Sequence, residues 1–206
     1  MDKLNILHLC ADIGSDSKPY QDSDKYNVIM IGKDIGLENF STDRPIHGVI
    51  ANPVCAEFSI APTTRKTGNL EEGMILVNHC LRIIKEVQPV WWVLENPATG
   101  RLKQFLGKPK FTYQPWQYGS PWTKKTGLWG NFNIPTITYS KWQNVPKNNH
   151  LYVRPNRHKP SLVALHKSSL QFIPEFQCFT DSIKNDADLR SLCSQNFARA
   201  FFKVNH

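Results

Sequence analysis

Two residue types able to do covalent chemistry stand forty positions apart, each just past an apolar run. Cys55 lies in Asn52-Pro53-Val54-Cys55-Ala56-Glu57-Phe58-Ser59, directly after Gly48-Val49-Ile50-Ala51. Glu95 opens Glu95-Asn96-Pro97, directly after Val90-Trp91-Trp92-Val93-Leu94. A cysteine in a polar loop can supply a thiolate nucleophile, and a carboxyl group can supply or hold a proton. For Cys10 and Cys80 the plainer role of a small buried hydrophobe is the expectation.

These side chains need strands to carry them. A β-branched stretch stopped by Asn-Pro reads as a core strand emptying into a loop at the carboxyl edge of a sheet, where open α/β sheets bind ligands. Between the two runs, Leu70, Met74, Val77, Leu81, Ile84 and Val87 recur at steps of three and four, which predicts an amphipathic helix. A helical crossover makes the flanking strands parallel and puts both carboxyl ends on one edge, so Cys55 is expected near Glu95. The opening is read the same way. Leu4 to Leu9 is a first strand, Ala11 to Ser15 a glycine turn, and Ser15 to Ser17 the cap of a short helix through Tyr20. Such a unit opens a Rossmann-like sheet and can aim backbone N–H groups at a cofactor's carboxylate or phosphate, with a plain structural turn as the alternative. Val28 to Ile31 reads as a second strand, Arg101 to Phe105 as a short helix and Phe111 to Gln114 as a further strand. Near the end, Ser194 is a candidate N-cap for a helix with the stripe Phe197, Phe201 and Val204.

Length and charge narrow the function classes. The 206 residues suit one α/β domain with a small insertion. No apolar run reaches the roughly 18 residues of a membrane span and Met1-Asp2-Lys3 lacks a signal-peptide pattern, so a cytoplasmic protein is expected. Five cysteines without Cys-x-x-Cys spacing argue against a disulfide framework and against a metal site. The net charge of +8 is uneven: residues 1–60 hold five Lys/Arg against nine Asp/Glu, and residues 61–206 hold twenty against eight. A basic surface of that kind attracts phosphate backbones without sequence preference. Residues 133–178 hold six Lys/Arg against the single acid Glu175, with scattered aromatics including Tyr139, Trp142 and Tyr152. They read either as a basic flap suited to backbone contacts and base stacking, or as an irregular excursion with core-facing aromatics.

The loop Pro-x-Cys-x-x-Phe-Ser, followed by strand-Glu-Asn-Pro, by Tyr118-Gly119-Ser120-Pro121 and by Phe197-Ala198-Arg199-Ala200-Phe201-Phe202, resembles the cytosine-C5 DNA methyltransferase family, most closely its short phage-borne branch. The resemblance implies an α/β, Rossmann-like S-adenosylmethionine-dependent methyltransferase fold with a mostly parallel sheet flanked by helices. Its implied layout is a catalytic core over 1–132, a reduced target-recognition flap over 133–178, and a closing segment and helix over 179–206 returning to the core. Cys55 is then the nucleophile at cytosine carbon 6, Glu95 the group that holds the ring, and Lys124 a third catalytic group. Leu9, Asp12, Ile13, Gly14, Asp34, Asn52 and Pro53 are implied around S-adenosylmethionine, with Asn96, Pro97, Lys124 and Thr126 against the substrate. The implied partner is DNA with its target base flipped out, bound by a monomer without metal or membrane. Departures stand beside the match. Asp12 replaces an expected glycine, Val54 replaces the proline before the cysteine, and Lys124 and Thr126 replace two arginines. Lysine keeps the charge without the bidentate fork. A relative that binds nucleic acid without turnover, and RNA cytosine as substrate, are the readings held beside it.

Overall fold

The computed structural model describes residues 2–11, 13–32, 35–58 and 69–206. Two of the implied cofactor residues, Asp12 and Asp34, lie outside them.

Strands β1 (Leu4–Leu9), β2 (Tyr26–Ile31), β3 (Ile46–Ala51), β4 (Trp91–Pro97), β5 (Phe111–Tyr113) and β6 (Thr126–Asn131) form one sheet in the order β2-β1-β3-β4-β6-β5. The pairs β1/β2, β1/β3 and β3/β4 are parallel and β4/β6 is antiparallel, giving the mostly parallel α/β sheet expected. Helix α1 (Lys18–Gln21) follows β1, and α2 (Leu70–Val87) makes the crossover from β3 to β4 over the residues its periodicity marked. Asn69 caps α2 by accepting from the Glu72 N–H, and Glu71 and Glu72 sit favourably at its positive end. The buried face of α2 is turned slightly from the expected stripe, with Gly73, Val77, Cys80, Ile83 and Ile84 deepest.

Period-two alternation sorts the strand residues onto two faces. Leu7, Leu9, Val49, Ala51 and Leu94 pack under α2 with Val77, Cys80 and Ile83. On the other face the Tyr20 ring of α1 stacks on Trp91, centroids 5.5 Å apart. Each fully buried aliphatic contributes about 1.5–3 kcal/mol, so this packing anchors the strands that lead to the site.

Glu95-Asn96-Pro97 departs from expectation. Rather than forming the loop after β4, the tripeptide is the end of the strand, because β6 pairs antiparallel beside it: Glu95 with Leu128, Asn96 with Gly127 and Pro97 with Thr126. Strand β6 was not foreseen as one. Its short apolar run carries two glycines, and the ladder is what extends it.

The chain divides into two compact units, residues 1–112 with 126–132, and residues 113–125 with 133–206. The second is discontinuous in sequence, interrupted by β6. It contains the short helices α3 excepted, namely α4 (Asp186–Ser191) and α5 (Gln195–Phe202), together with several 3-10 turns; α3 (Lys103–Leu106) belongs to the first. The foreseen Ser194 cap is present, its side chain accepting from the Phe197 N–H. Phe197 stacks on Tyr113, centroids 3.7 Å apart, with Tyr118 edge-on at 5.1 Å. Among the described residues no helix is long and apolar enough to cross a membrane.

Candidate active site

The loop that follows β3 is held at both ends and exposed at its tip. At its start the Asn52 N–H donates to the Leu9 carbonyl at 3.1 Å, continuing the β1/β3 ladder by one rung. The Pro53 carbonyl then accepts from Asn96 Nδ2 at 3.0 Å, a buried bond between the cysteine loop and the strand that carries Glu95. At the far end Arg101 clamps the loop: its backbone N–H donates to the Phe58 carbonyl at 2.8 Å and its guanidinium to the Glu57 carbonyl at 3.1 Å. Phe58 itself is fully buried, with its ring edge-on to Phe105. Gly73 of α2 makes room for it, since a Cβ there would come within 2.9 Å of both Phe58 Cζ and Glu57 Cβ.

Between these anchors Val54, Cys55 and Ala56 are exposed. Ordering three such residues costs about 1–2 kcal/mol each. Burial of Phe58 at about 1.5–3 kcal/mol, with a buried hydrogen bond near 1 and Arg101's charged bonds at about 1.5–3, is of the size needed to offset that. The result is a thiol presented on a stiff support.

Glu95 is half-buried near the edge where Cys55 emerges. The pairing of Ala51 with Leu94 sets Asn52 level with Glu95, and the Asn96 bond sets Pro53 level with Asn96. Alternation places Glu95 on the Trp91 and Val93 face, while Asn96 points under α2. Asn96 Oδ1 is buried without a hydrogen-bond partner, which leaves an acceptor at the junction of loop and strand. Thr126, opposite Pro97, is buried at the first residue of β6. The structure thus joins Asn52 and Pro53 at the loop's root to Asn96, and Pro97 to Thr126, at the sheet edge from which Cys55 continues and beside which Glu95 lies.

The end of β1 meets the end of β3 where the strand order reverses direction, since β1 is followed by β2 on one side and by β3 on the other. Such a switch point opens a crevice in α/β sheets. Leu9 is buried there and Ile13 is half-exposed. Gly14 has a left-handed φ of +76, a conformation that side-chain-bearing residues rarely adopt, so the turn favours glycine. A chain of polar groups that sequence reading missed runs through this point. Buried His8 Nε2 donates to Asn52 Oδ1 at 2.6 Å, and Asn52 Nδ2 donates to Asp16 Oδ1 at 3.3 Å. His8 Nδ1 lies 2.8 Å from the Ser17 hydroxyl, which donates to it in the neutral tautomer. A carboxylate oriented by this chain, beside the backbone of the turn, fits the ammonium and carboxylate of an amino-acid-bearing cofactor. Ribose contacts would fall to Asp34, outside the described residues.

Two other cysteines behave differently from Cys55. Cys10 and Cys80 sulfurs lie 4.0 Å apart, and hydrogen bonding with Cys10 together with burial pushes the Cys80 thiol up, away from nucleophilic character. Cys10 is only half-buried, at a left-handed φ of 57.

Lys124 belongs to the second unit, where its ammonium donates to the carbonyls of Ser191 and Leu192 at 3.0 Å, closing the C-terminal end of α4. Among the described residues no group of three or more His, Cys, Asp or Glu is placed to hold a metal ion.

No family model matches the chain, and no curated protein matches it. Among solved structures it is similar to a candidate DNA modification methyltransferase encoded within an E. coli prophage, at 14% identity and a TM-score of 0.49, over 75% of this chain and 56% of that chain. It is also similar to the Entamoeba histolytica methyltransferase EhMeth, at 11% identity and a TM-score of 0.45, over 76% of this chain and 62% of that chain. The chain therefore spans less than two thirds of the length of either structure.

Proposed function

We propose that the protein transfers a methyl group to carbon 5 of cytosine in DNA, with S-adenosylmethionine as donor and Cys55 as covalent catalyst. The observation that carries this reading is the Asn96 to Pro53 hydrogen bond, which ties an exposed cysteine to the strand bearing a half-buried carboxyl group. Carbon 5 of cytosine is a poor nucleophile until the ring is activated. The Cys55 thiolate adds at carbon 6, and the electron pair of the 5,6 bond moves to carbon 5. Glu95 hydrogen-bonds the ring at N3 and the exocyclic amine, stabilising the charge that builds there. The cofactor supplies an electrophilic methyl group when bound, and Leu9, Ile13, Gly14, Asp16 and Asn52 would hold its amino-acid end. Carbon 5 then forms its bond to that methyl group, a general base takes the remaining carbon-5 proton, and the electron pair of that C–H bond restores the 5,6 double bond and expels the Cys55 thiolate. The base must leave its stack to reach such a site, at a cost of a few kcal/mol.

A nucleic-acid-binding relative without turnover is the second reading, favoured by the engagement of Lys124 with the α4 carbonyls. Calorimetry with S-adenosylmethionine and S-adenosylhomocysteine tests this reading, because binding of neither marks a relative that has lost the cofactor. DNA carrying 5-fluorocytosine should trap a covalent adduct that is absent in Cys55→Ser. An adduct that survives this change removes Cys55 from its role, and an adduct on the matching RNA alone moves the substrate to RNA.

A further inference from the structure

The second unit carries a cleft of about 320 Å³ that shares no residue with the cysteine site. Two of its walls are the rings of His150 and Phe172, stacked on each other at 4.9 Å with an interplanar angle of 11°. Tyr152 stands exposed beside them, and His166, Ser168, Ser169 and Gln171 complete the lining with polar atoms. The backbones carrying this pair are tied by Asn148, whose Oδ1 accepts from the His150 N–H at 3.1 Å while its Nδ2 donates to the Phe172 carbonyl at 2.6 Å. One side chain therefore spaces both backbones. Gln171 is similarly tied, donating to the Ser168 carbonyl at 3.0 Å.

The unit that carries the cleft is basic overall, although the Asp186 carboxylate lies 2.8 Å from the lining residue His166. Residues 133–178 contain six Lys/Arg and one acid, and that acid, Glu175, is spent on the N-terminal end of α5 and on Ser120. The nearby Asp186 is engaged by the Lys167 N–H, by His166 and by Arg190. What remains is a ring-lined cleft, roomy enough for one heterocycle, in a field that favours phosphates. Stacking platforms of this kind bind bases of single strands without strong sequence preference, because every base has a π-face.

We propose that this cleft seats an unpaired base of a DNA strand, extending the His150–Phe172 stack by a third ring while neighbouring phosphates lie against the basic residues. The inference rests on nucleic acid as partner, as the proposed function does, but needs neither Cys55 nor the cofactor. Its test is accordingly run without donor, on the Cys55→Ser protein, by fluorescence anisotropy. Two labelled probes are compared: a short single-stranded oligothymidylate, and an abasic strand of the same length and charge. The stack predicts roughly ten-fold or greater preference for the strand that has bases. Phe172→Ala should abolish that preference while leaving the slope of affinity against salt unchanged, because the phosphate contacts remain. His150→Phe, which keeps a ring, should retain it. Equal binding of both probes by the parent protein, or a preference that persists in a folded Phe172→Ala protein, overturns the proposal. Tighter binding of the matching RNA strand overturns the choice of DNA. Methyl transfer lost with this preference intact would count against the catalytic reading alone.

Discussion

The two units are built by different means. In the first, neighbouring strands hold the candidate catalytic groups: the β3/β4 ladder levels Asn52 with Glu95, and the β4/β6 ladder runs through Glu95 itself. In the second, no strand crosses residues 133–206, and side chains hold the backbone instead: Asn148 at the aromatic pair, Lys124 at the end of α4, Glu175 at the start of α5. Ladders distribute a load over many bonds, whereas a side-chain clamp concentrates it in one residue. Single substitutions should therefore act locally on geometry in the first unit and on stability in the second.

The sharpest test removes the side-chain bond that ties the cysteine loop to β4. Asn96→Ala breaks the bond to Pro53 and should lower methyl transfer about 100-fold, as misplacement of a reacting group by an ångström does, while costing only about 1–3 kcal/mol in urea denaturation. Activity within a few-fold of the parent would mean the cysteine loop is positioned by something else. Gly73→Ala is next. Alanine favours an interior helix position by about 1 kcal/mol, but its Cβ would press on Phe58 and Glu57, and overpacking costs about 1–3 kcal/mol. The expected outcome is a small net loss of stability with a clear loss of adduct formation on 5-fluorocytosine DNA. A more stable, fully active variant would show that the loop yields.

For the second unit the signature is pH. Burial raises the Glu175 pKa above its ordinary value, against the opposing hydrogen bonds from Ser120, Gln195 and Asn196. Its folded form therefore binds the proton more tightly than its unfolded form. Stability from this group is full below the ordinary carboxyl value of 4.5 and is lost as pH rises through the raised one. Urea midpoints measured across that window should fall for the parent and stay flatter for Glu175→Gln. The smallest effect belongs to Asp186, half-exposed and held below its ordinary value by the Lys167 N–H and then by His166. Its contribution has the opposite sense, present above the ordinary value and lost as pH falls through the lowered one, so Asp186→Asn should blunt only the acid limb. Identical slopes in both variants would erase the distinction.

How much could be read in advance follows the same division. Strands β1 to β4 and helix α2 announce themselves through apolar runs and a three-four period, because burial against the sheet dictates those patterns. The Ser194 cap was equally legible, since capping is a local event. Strand β6 was not, because Thr126 to Asn131 becomes extended only when β4 lies alongside. For that reason Glu95 was placed just past a strand when it is inside one. His8, Asp16 and Arg101 were missed for a related cause: each acts through a partner distant in sequence, Asn52 for the first two and Glu57 for the third. The clamps of the second unit, Asn148 among them, are polar residues in a polar stretch and carry no periodicity at all.

The discontinuity of the second unit has a practical consequence for anyone wishing to transplant it. Its two stretches are parted by the seven residues 126–132, so a graft must be spliced at three junctions rather than cut at one. Truncation before Asn133 would leave Tyr113 and Tyr118 without Phe197 to stack on, and Lys124 without its carbonyls, so the stub over 113–125 would lose its own packing partners. Recombination between relatives should therefore trade this unit as a pair of coordinated exchanges, and chimaeras made with a single crossover should express as poorly folded protein.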